Sequence, residues 1–245
     1  MGNIINRYLP DVNWQQGKPE LTGGEVHIWR ISISKAQKRI EEFKALLNTD
    51  ESLRAGRYKQ QKDTYRFIIS RGVQRILLGS YLNRPPAGLQ FVLGENKKPH
   101  LVSREGNIIH YNLSHSGDWI LMAVATLPVG ADVEYVDDAF PYHDILPDNF
   151  SPDEIAYIGQ GNPARFFTLW TRKEAILKAT GQGLGEHLAV TPSLNGEYPL
   201  PKGLSGADEN WQLNTFPVHD NYTGSVAVAN AGQSYSFFDI GPELI

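Results

Sequence analysis

Hydrophobic periodicity changes along this chain in an order that leaves few architectures open. Residues 25–33 alternate apolar and polar, the mark of a half-buried strand. Ser34 is positioned to cap a helix running to about residue 47, and Thr49 or Asp50 to cap the next. Residues 63–82 read as a longer helix. Phe67, Ile68, Val73, Ile76, Leu77 and Leu78 supply its core side, Arg66, Arg71 and Arg75 its polar side, and Pro85-Pro86 ends it. Residues 108–113, 119–125 and 129–134 follow as strands. Ser151-Pro152-Asp153-Glu154 opens a helix with a serine cap, a proline at the first helical position and acids in the first turn. Residues 163–180 are the clearest helix, closed by Gly181. Three strands, 211–216, 222–229 and 235–238, complete the chain and are expected to run antiparallel. Strands that alternate with helices and then run together predict an α+β fold, not a doubly wound parallel sheet. Residues 1–24, polar and rich in Gly and Pro, read as an extended arm. The Leu127-Pro128 junction divides the chain into residues 1–127 and 128–245, near-equal halves with no residue-level repeat between them.

At 245 residues the chain is long enough to bury a core without staples. It has no cysteine, which removes disulfides, thiolate metal sites and a cysteine nucleophile. Lys and Arg number 23 against 27 Asp and Glu, a net charge of -4, so there is no global basic field for nucleic acid. Residues 1–10 lack the apolar run of a signal peptide. The most apolar stretch, residues 119–131, holds Pro128 and Gly130 and is too short to span a bilayer. A soluble cytoplasmic monomer with no membrane partner is expected.

Three places carry chemistry. In Gly130-Ala131-Asp132-Val133-Glu134 the two acids lie two apart on a strand and share a side, with Val133 turned to the core. Converging carboxylates repel unless a proton or cation joins them, and a hard cation such as Mg2+ suits oxygen ligands. The plain alternative is a solvent-facing strand with two ordinary acids. On the helix at 163–180, Glu174 and Lys178 are four apart and so are neighbours. Trp170, one turn before Glu174, puts the pair at the edge of the packed side. Asn112-Leu113-Ser114-His115-Ser116-Gly117 ends a strand in a hydroxyl and an imidazole, which suits an anion and equally suits an ordinary Asx or Ser turn. A serine hydrolase is disfavoured, because Ser114 and His115 point to opposite sides and there is no G-x-S-x-G elbow. The glycines at 181, 183 and 185 close a helix instead of opening one, which argues against a dinucleotide fingerprint.

The order of these motifs is more specific than any one of them. Asn-Leu-Ser-His-Ser-Gly, then Gly-Ala-Asp-Val-Glu, then Phe166-Phe167-x-x-Trp170-Thr171-x-Lys173-Glu174-Ala175-x-x-Lys178-Ala179-x-Gly181-x-Gly183-Leu184 resembles the 4'-phosphopantetheinyl transferase superfamily. The chain looks like its surfactin-synthetase-activating type, with both halves in one polypeptide, and is similar to the cyanobacterial members. The resemblance runs from about Asp50 to Gly183. Ala131 stands where the family has Ile, a packing change.

That resemblance implies two similar α/β halves packed as a pseudo-dimer, with coenzyme A in the cleft between them. It implies transfer of the 4'-phosphopantetheine arm of coenzyme A to a serine of an apo acyl or peptidyl carrier protein, releasing adenosine 3',5'-bisphosphate. Carried over by position, Asp132, Glu134 and Glu174 would be Mg2+ ligands, with Asp132 also at the coenzyme A site. Lys178 and His115 would contact coenzyme A phosphates, with Ser114 beside them. Lys98 and Pro99 match the Lys-Pro of the family's adenine and phosphate loop, and Arg54 matches a basic residue at the 3'-phosphate. Lys178 would also act where charge builds on the leaving bisphosphate. The carrier serine's proton needs a base: Glu174 is the first candidate, and Glu154, which matches an acid ahead of the last motif, the second. Two other readings use the same residues: a Mg2+-dependent phosphohydrolase, and a non-catalytic module that binds coenzyme A or a carrier protein.

Overall fold

The structure, a computed structural model, describes residues 2–94, 99–102, 109–183 and 187–241. The first part of the chain forms β1 (Asn3–Tyr8), β2 (Trp14–Gln15), β3 (Glu25–Ser32), α1 (Ile33–Ala36), α2 (Ile40–Ala45), α3 (Thr49–Ala55) and α4 (Gln61–Leu82). Next come β4 (Phe91–Leu93), β5 (Pro99–Leu101), β6 (His110–Ser116), β7 (Trp119–Ala125) and β8 (Val129–Tyr135). The remainder holds α5 (Leu146–Asn149), α6 (Pro152–Ile158), α7 (Pro163–Thr180), β9 (Gly196–Pro199), β10 (Trp211–His219), β11 (Tyr222–Ala229) and β12 (Ser234–Asp239). The fold is α+β, built on two five-stranded sheets ordered β2-β12-β3-β7-β6 and β8-β11-β10-β1-β9, with β4-β5 a separate hairpin.

Strand alternation builds the layers. On β7, Ile120, Met122 and Val124 turn one way and pack with Val73, Leu77 and Leu78 of α4. Leu121, Ala123 and Ala125 turn the other way and meet Val129, Ala131 and Val133 of β8 and Val226 and Val228 of β11 between the sheets. Both faces of β7 are buried, which explains its unbroken apolar run. On β11, Ala227 and Ala229 point outward against Ile176 and Leu177 of α7. The order of layers is therefore α4, sheet, sheet, α7.

The two ends of the chain are exchanged. β1 pairs in parallel with β10, and β12 pairs in parallel with β3. Each terminal strand thus completes the sheet of the opposite half, and the 127/128 division is crossed at both ends. The expected arm at residues 1–24 instead contributes β1 and β2, with Ile4 fully buried. The expected antiparallel trio holds only for β10 and β11; β12 leaves for the other sheet. Alternation specifies which face of a strand is buried and leaves its pairing partner open.

Some helix starts also shift. Ser32, not Ser34, caps α1 by accepting from Lys35 N; Ser34 instead donates its hydroxyl to Asp118 at 2.8 Å. Asn48, not Thr49 or Asp50, caps α3 in a capping box with Glu51. The Ser151 cap and the Gly181 stop are as predicted, Gly181 at φ +75°. Arg75, expected on the polar side of α4, is 1% exposed, its guanidinium held by Glu51 and the Leu89 carbonyl, each at 2.8 Å.

Candidate functional site

Gly130 lets the site form. A Cβ at this position would lie 2.1 Å from the Ala175 carbonyl oxygen and 2.3 Å from the Ala179 nitrogen, so only glycine allows α7 to rest this closely on β8. With Val129, Ala131 and Val133 committed to the layer between the sheets, Asp132 and Glu134 face the α7 side. Glu174 and Lys178, one helical turn apart beside Ala175 and Ala179, meet them there. The Lys178 ammonium sits 2.5 Å from Asp132 Oδ1, 3.2 Å from Ser114 Oγ and 3.8 Å from Glu174 Oε2.

β6 belongs to the other sheet, yet it is stitched to β8 by side chains. Asn112, Ser114 and Ser116 are two apart and share a face. Asn112 Oδ1 accepts from Ala131 N at 2.9 Å, Ser114 Oγ donates to Asp132 Oδ1 at 2.8 Å, and Ser116 Oγ donates to Glu134 Oε2 at 2.8 Å while accepting from Tyr135 N. The Asn-Leu-Ser-His-Ser run is therefore a seam that holds the two acids in place.

These groups line a cavity of about 610 Å³ that both halves wall. Asp132, Glu134, Trp170, Glu174 and Lys178 come from one half; Arg54 of α3 and Arg66 and Arg71 of α4 come from the other; Ser114 and His115 lie at the junction. Arg54 and Arg71 stack over the Phe67 ring at 5.2 and 5.5 Å. One wall is thus cationic and the other acidic, an arrangement suited to a polyanionic ligand with a bridging cation. Of the residues singled out in the sequence, Arg54, Ser114, His115, Asp132, Glu134, Glu174 and Lys178 come together here. Glu154 does not line the cavity; its carboxylate is engaged by Ser151, Ser193 and Lys173. Lys98 lies outside the described residues, and Pro99 opens β5. Arg66 and Arg71 were legible only as polar-side residues of a helix. For Arg71 the sharper signal is spacing: Phe67, Arg71 and Gln74 recur at i, i+4 and i+7, one face of α4.

Burial and repulsion set the charge states. Burial, reinforced by Asp132, pushes Glu134 up to about 7. Burial also lifts Glu174 to about 7 against the pull of Lys178, with Asp132 and Glu134 adding to the rise. Burial opposes the charge on Lys178, but Asp132 and Glu174 outweigh it and hold that lysine above its ordinary value. His115 is held below the usual histidine value by burial and then by Arg66. Among the described residues, Asp132 Oδ2 and Glu174 Oε1 are buried without a hydrogen-bond partner. Among the described residues no three His, Cys, Asp or Glu side chains form a ready-made metal cage. The carboxylates nonetheless fit a hard cation: two orphaned buried oxygens in an all-oxygen acidic set are what such an ion satisfies. No helix among the described residues is long and apolar enough to cross a membrane.

Comparison with known proteins places this geometry in context. A family model described as the 4'-phosphopantetheinyl transferase superfamily matches residues 128–229, and one described as 4'-phosphopantetheinyl transferase, N-terminal, matches residues 31–127. The 4'-phosphopantetheinyl transferase HetI of Nostoc sp. is 33% identical over 234 residues, covering 92% of this chain and 97% of that protein. The 4'-phosphopantetheinyl transferase psf-1 of Bacillus pumilus is 32% identical over 67% of this chain and 70% of its own length. The 4'-phosphopantetheinyl transferase Sfp of Bacillus subtilis is 22% identical over 80% of this chain and 88% of its own length.

Proposed function

The chain belongs to the 4'-phosphopantetheinyl transferase superfamily as an enzyme that transfers phosphopantetheine to carrier proteins, and we propose that it does so in a Mg2+-dependent reaction. The arm of coenzyme A passes to a serine of an apo acyl or peptidyl carrier protein, and adenosine 3',5'-bisphosphate leaves. The observation that carries this reading is one cavity in which Asp132, Glu134 and Glu174 converge with Lys178 opposite the arginines of the other half.

Asp132, Glu134 and Glu174 would hold Mg2+, which when bound neutralises charge on the diphosphate oxygens. Lys178, already drawn to Asp132, supplies an ammonium beside the leaving bisphosphate, where charge builds as the bond breaks. His115 offers a ring N–H to a phosphate, and Arg54 meets the 3'-phosphate from the opposite wall. The nucleophile comes from the carrier, so the enzyme needs no activated serine of its own. Glu174, which lines the cavity, takes the proton of the incoming hydroxyl through the carboxylate oxygen that does not hold the ion. The Mg2+ and coenzyme A assignments are tested together by incubating the enzyme with coenzyme A and an apo carrier. A mass gain of one arm on the carrier, lost on chelation and restored by Mg2+, is expected. Equal modification in chelator overturns the metal assignment, and no modification at all overturns the transfer.

A further inference from the structure

Glu154 has no acceptor site left for a proton. A carboxylate offers about four lone-pair positions, and four donors occupy them. Oε1 accepts from Ser193 N at 2.8 Å and Ser193 Oγ at 2.6 Å. Oε2 accepts from Ser151 N at 2.9 Å and from the Lys173 ammonium at 2.9 Å. The remaining two Lys173 protons go to the carbonyls of Leu188 at 2.8 Å and Thr191 at 2.6 Å. The pair is 3% and 0% exposed.

Two residues N-terminal to Lys173 on α7 are held as firmly. Arg172 donates to Thr215 Oγ1, the Ser193 carbonyl and Asn195 Oδ1 at 2.7–2.8 Å. Thr171 Oγ1 meets Ser225 Oγ of β11 at 2.9 Å. Three consecutive residues therefore tie one helix to β11, to β10, to the start of α6 and to the segment 188–195. Replacing a buried ion pair by apolar groups of the same shape is often neutral or stabilising, so stability alone does not account for this one. It adds direction: a helix gripped on several sides cannot roll about its axis, and the next residue is Glu174.

We propose that Glu154 and Lys173 are positioning residues that lock the roll of α7, so that Glu174 and Lys178 face Asp132 across the cavity. This rests on the transferase reading above. It removes Glu154 as a proton acceptor and gives it a role through Lys173.

The test compares the full chain with Glu154→Gln, Lys173→Met and the double variant Glu154→Gln/Lys173→Met. Carrier modification gives kcat, and calorimetry gives coenzyme A affinity independently of transfer. Each single change strands a buried polar partner, and kcat is expected to fall about tenfold or more. The double variant removes both charges but leaves the Leu188 and Thr191 carbonyls without the Lys173 donor; its kcat is expected to recover about threefold or more above that of Glu154→Gln without reaching the parent, with coenzyme A affinity recovering in step. A proton acceptor gives the opposite pattern, because no base returns. A folded double variant as inactive as Glu154→Gln overturns the proposal. If the double variant does not fold, Ser193→Ala decides, since it removes a single hydroxyl donor and leaves both charges. A fall in kcat of about threefold or more with the KM for coenzyme A unchanged supports the lock, and parental kcat overturns it. A parent enzyme that modifies no carrier sinks the transferase reading, and the affinity pattern across the variants still tests the lock.

Discussion

Glu134 and Glu174 give the metal-free protein a pH dependence of unusual sign. Both are raised from 4.5 to about 7. Between those values the folded chain binds more protons than the unfolded one, so stability falls as pH rises. Each contributes up to about 3 kcal/mol, and the two together less than twice that, because they repel each other. In chelator, the melting temperature is expected to drop from about pH 5 to about pH 7 and then level off. Glu174→Gln should flatten part of that drop, and Mg2+ should raise the melting point of the parent on the alkaline side. A slope unchanged by Glu174→Gln would remove this glutamate from the acid cluster. The cationic side is read separately. Lys178→Ala and His115→Ala are expected to weaken coenzyme A by about 1.5–3 kcal/mol each, the worth of a charge-assisted contact, and to leave pantetheine binding nearly unchanged. Unchanged coenzyme A affinity by calorimetry would take the residue concerned out of the site.

Among the elements, the decisive contact is β8 against α7. Gly130 is the point of closest approach, and an added methyl would meet the Ala175 and Ala179 backbone, which cannot rotate away. Gly130→Ala is expected to push α7 outward and to cost about 1–3 kcal/mol, the range for overpacking. The same displacement separates Glu174 and Lys178 from Asp132, so Mg2+ should no longer raise the melting temperature. A variant that keeps both parental melting and the Mg2+ shift would show that α7 tolerates the larger spacing. Ala131, one residue on, points into the layer between the sheets, where a smaller side chain than the family's Ile leaves the acids' direction untouched. The seam from β6 acts in the same way: alternate side chains at 112, 114 and 116 hold β8 from the other sheet. Strand alternation makes that spacing visible in the sequence; the partner they reach is not.

For the whole molecule, the exchanged ends matter most. β12 lies between β2 and β3, so removing it opens the first sheet along a line of buried backbone groups. It also strips Phe237 and Phe238 from two separate cores. A chain truncated after Ala229, where the match to the superfamily ends, is therefore expected not to fold. Circular dichroism and melting of that truncated chain check this. A cooperative transition near that of the full chain would mean that the first sheet closes without β12.

Local chemistry determined much of this protein before any tertiary contact was known. The Ser151 cap, the Gly181 stop, the inward turn of Val133 and the shared face of Asp132 and Glu134 follow from dihedral preference and from strand and helix periods, which act within a few residues. The motif residues at 114, 115, 132, 134, 174 and 178 were legible for the same reason: the seam, the acid strand and the helix each leave a short-range spacing, whereas Arg54 was singled out only through the family resemblance. Tertiary structure alone decided which strands pair, where β12 goes, that Arg75 is buried, and that Arg66 and Arg71 face the acids across the cavity. It also separated Glu154 from the cavity, although that residue and Glu174 look alike as acids near a helix. Pairing, burial of a charge and the direction of a carboxylate depend on partners far away in sequence. For Glu154 that partner is a lysine on the next long helix, and periodicity carries no record of it.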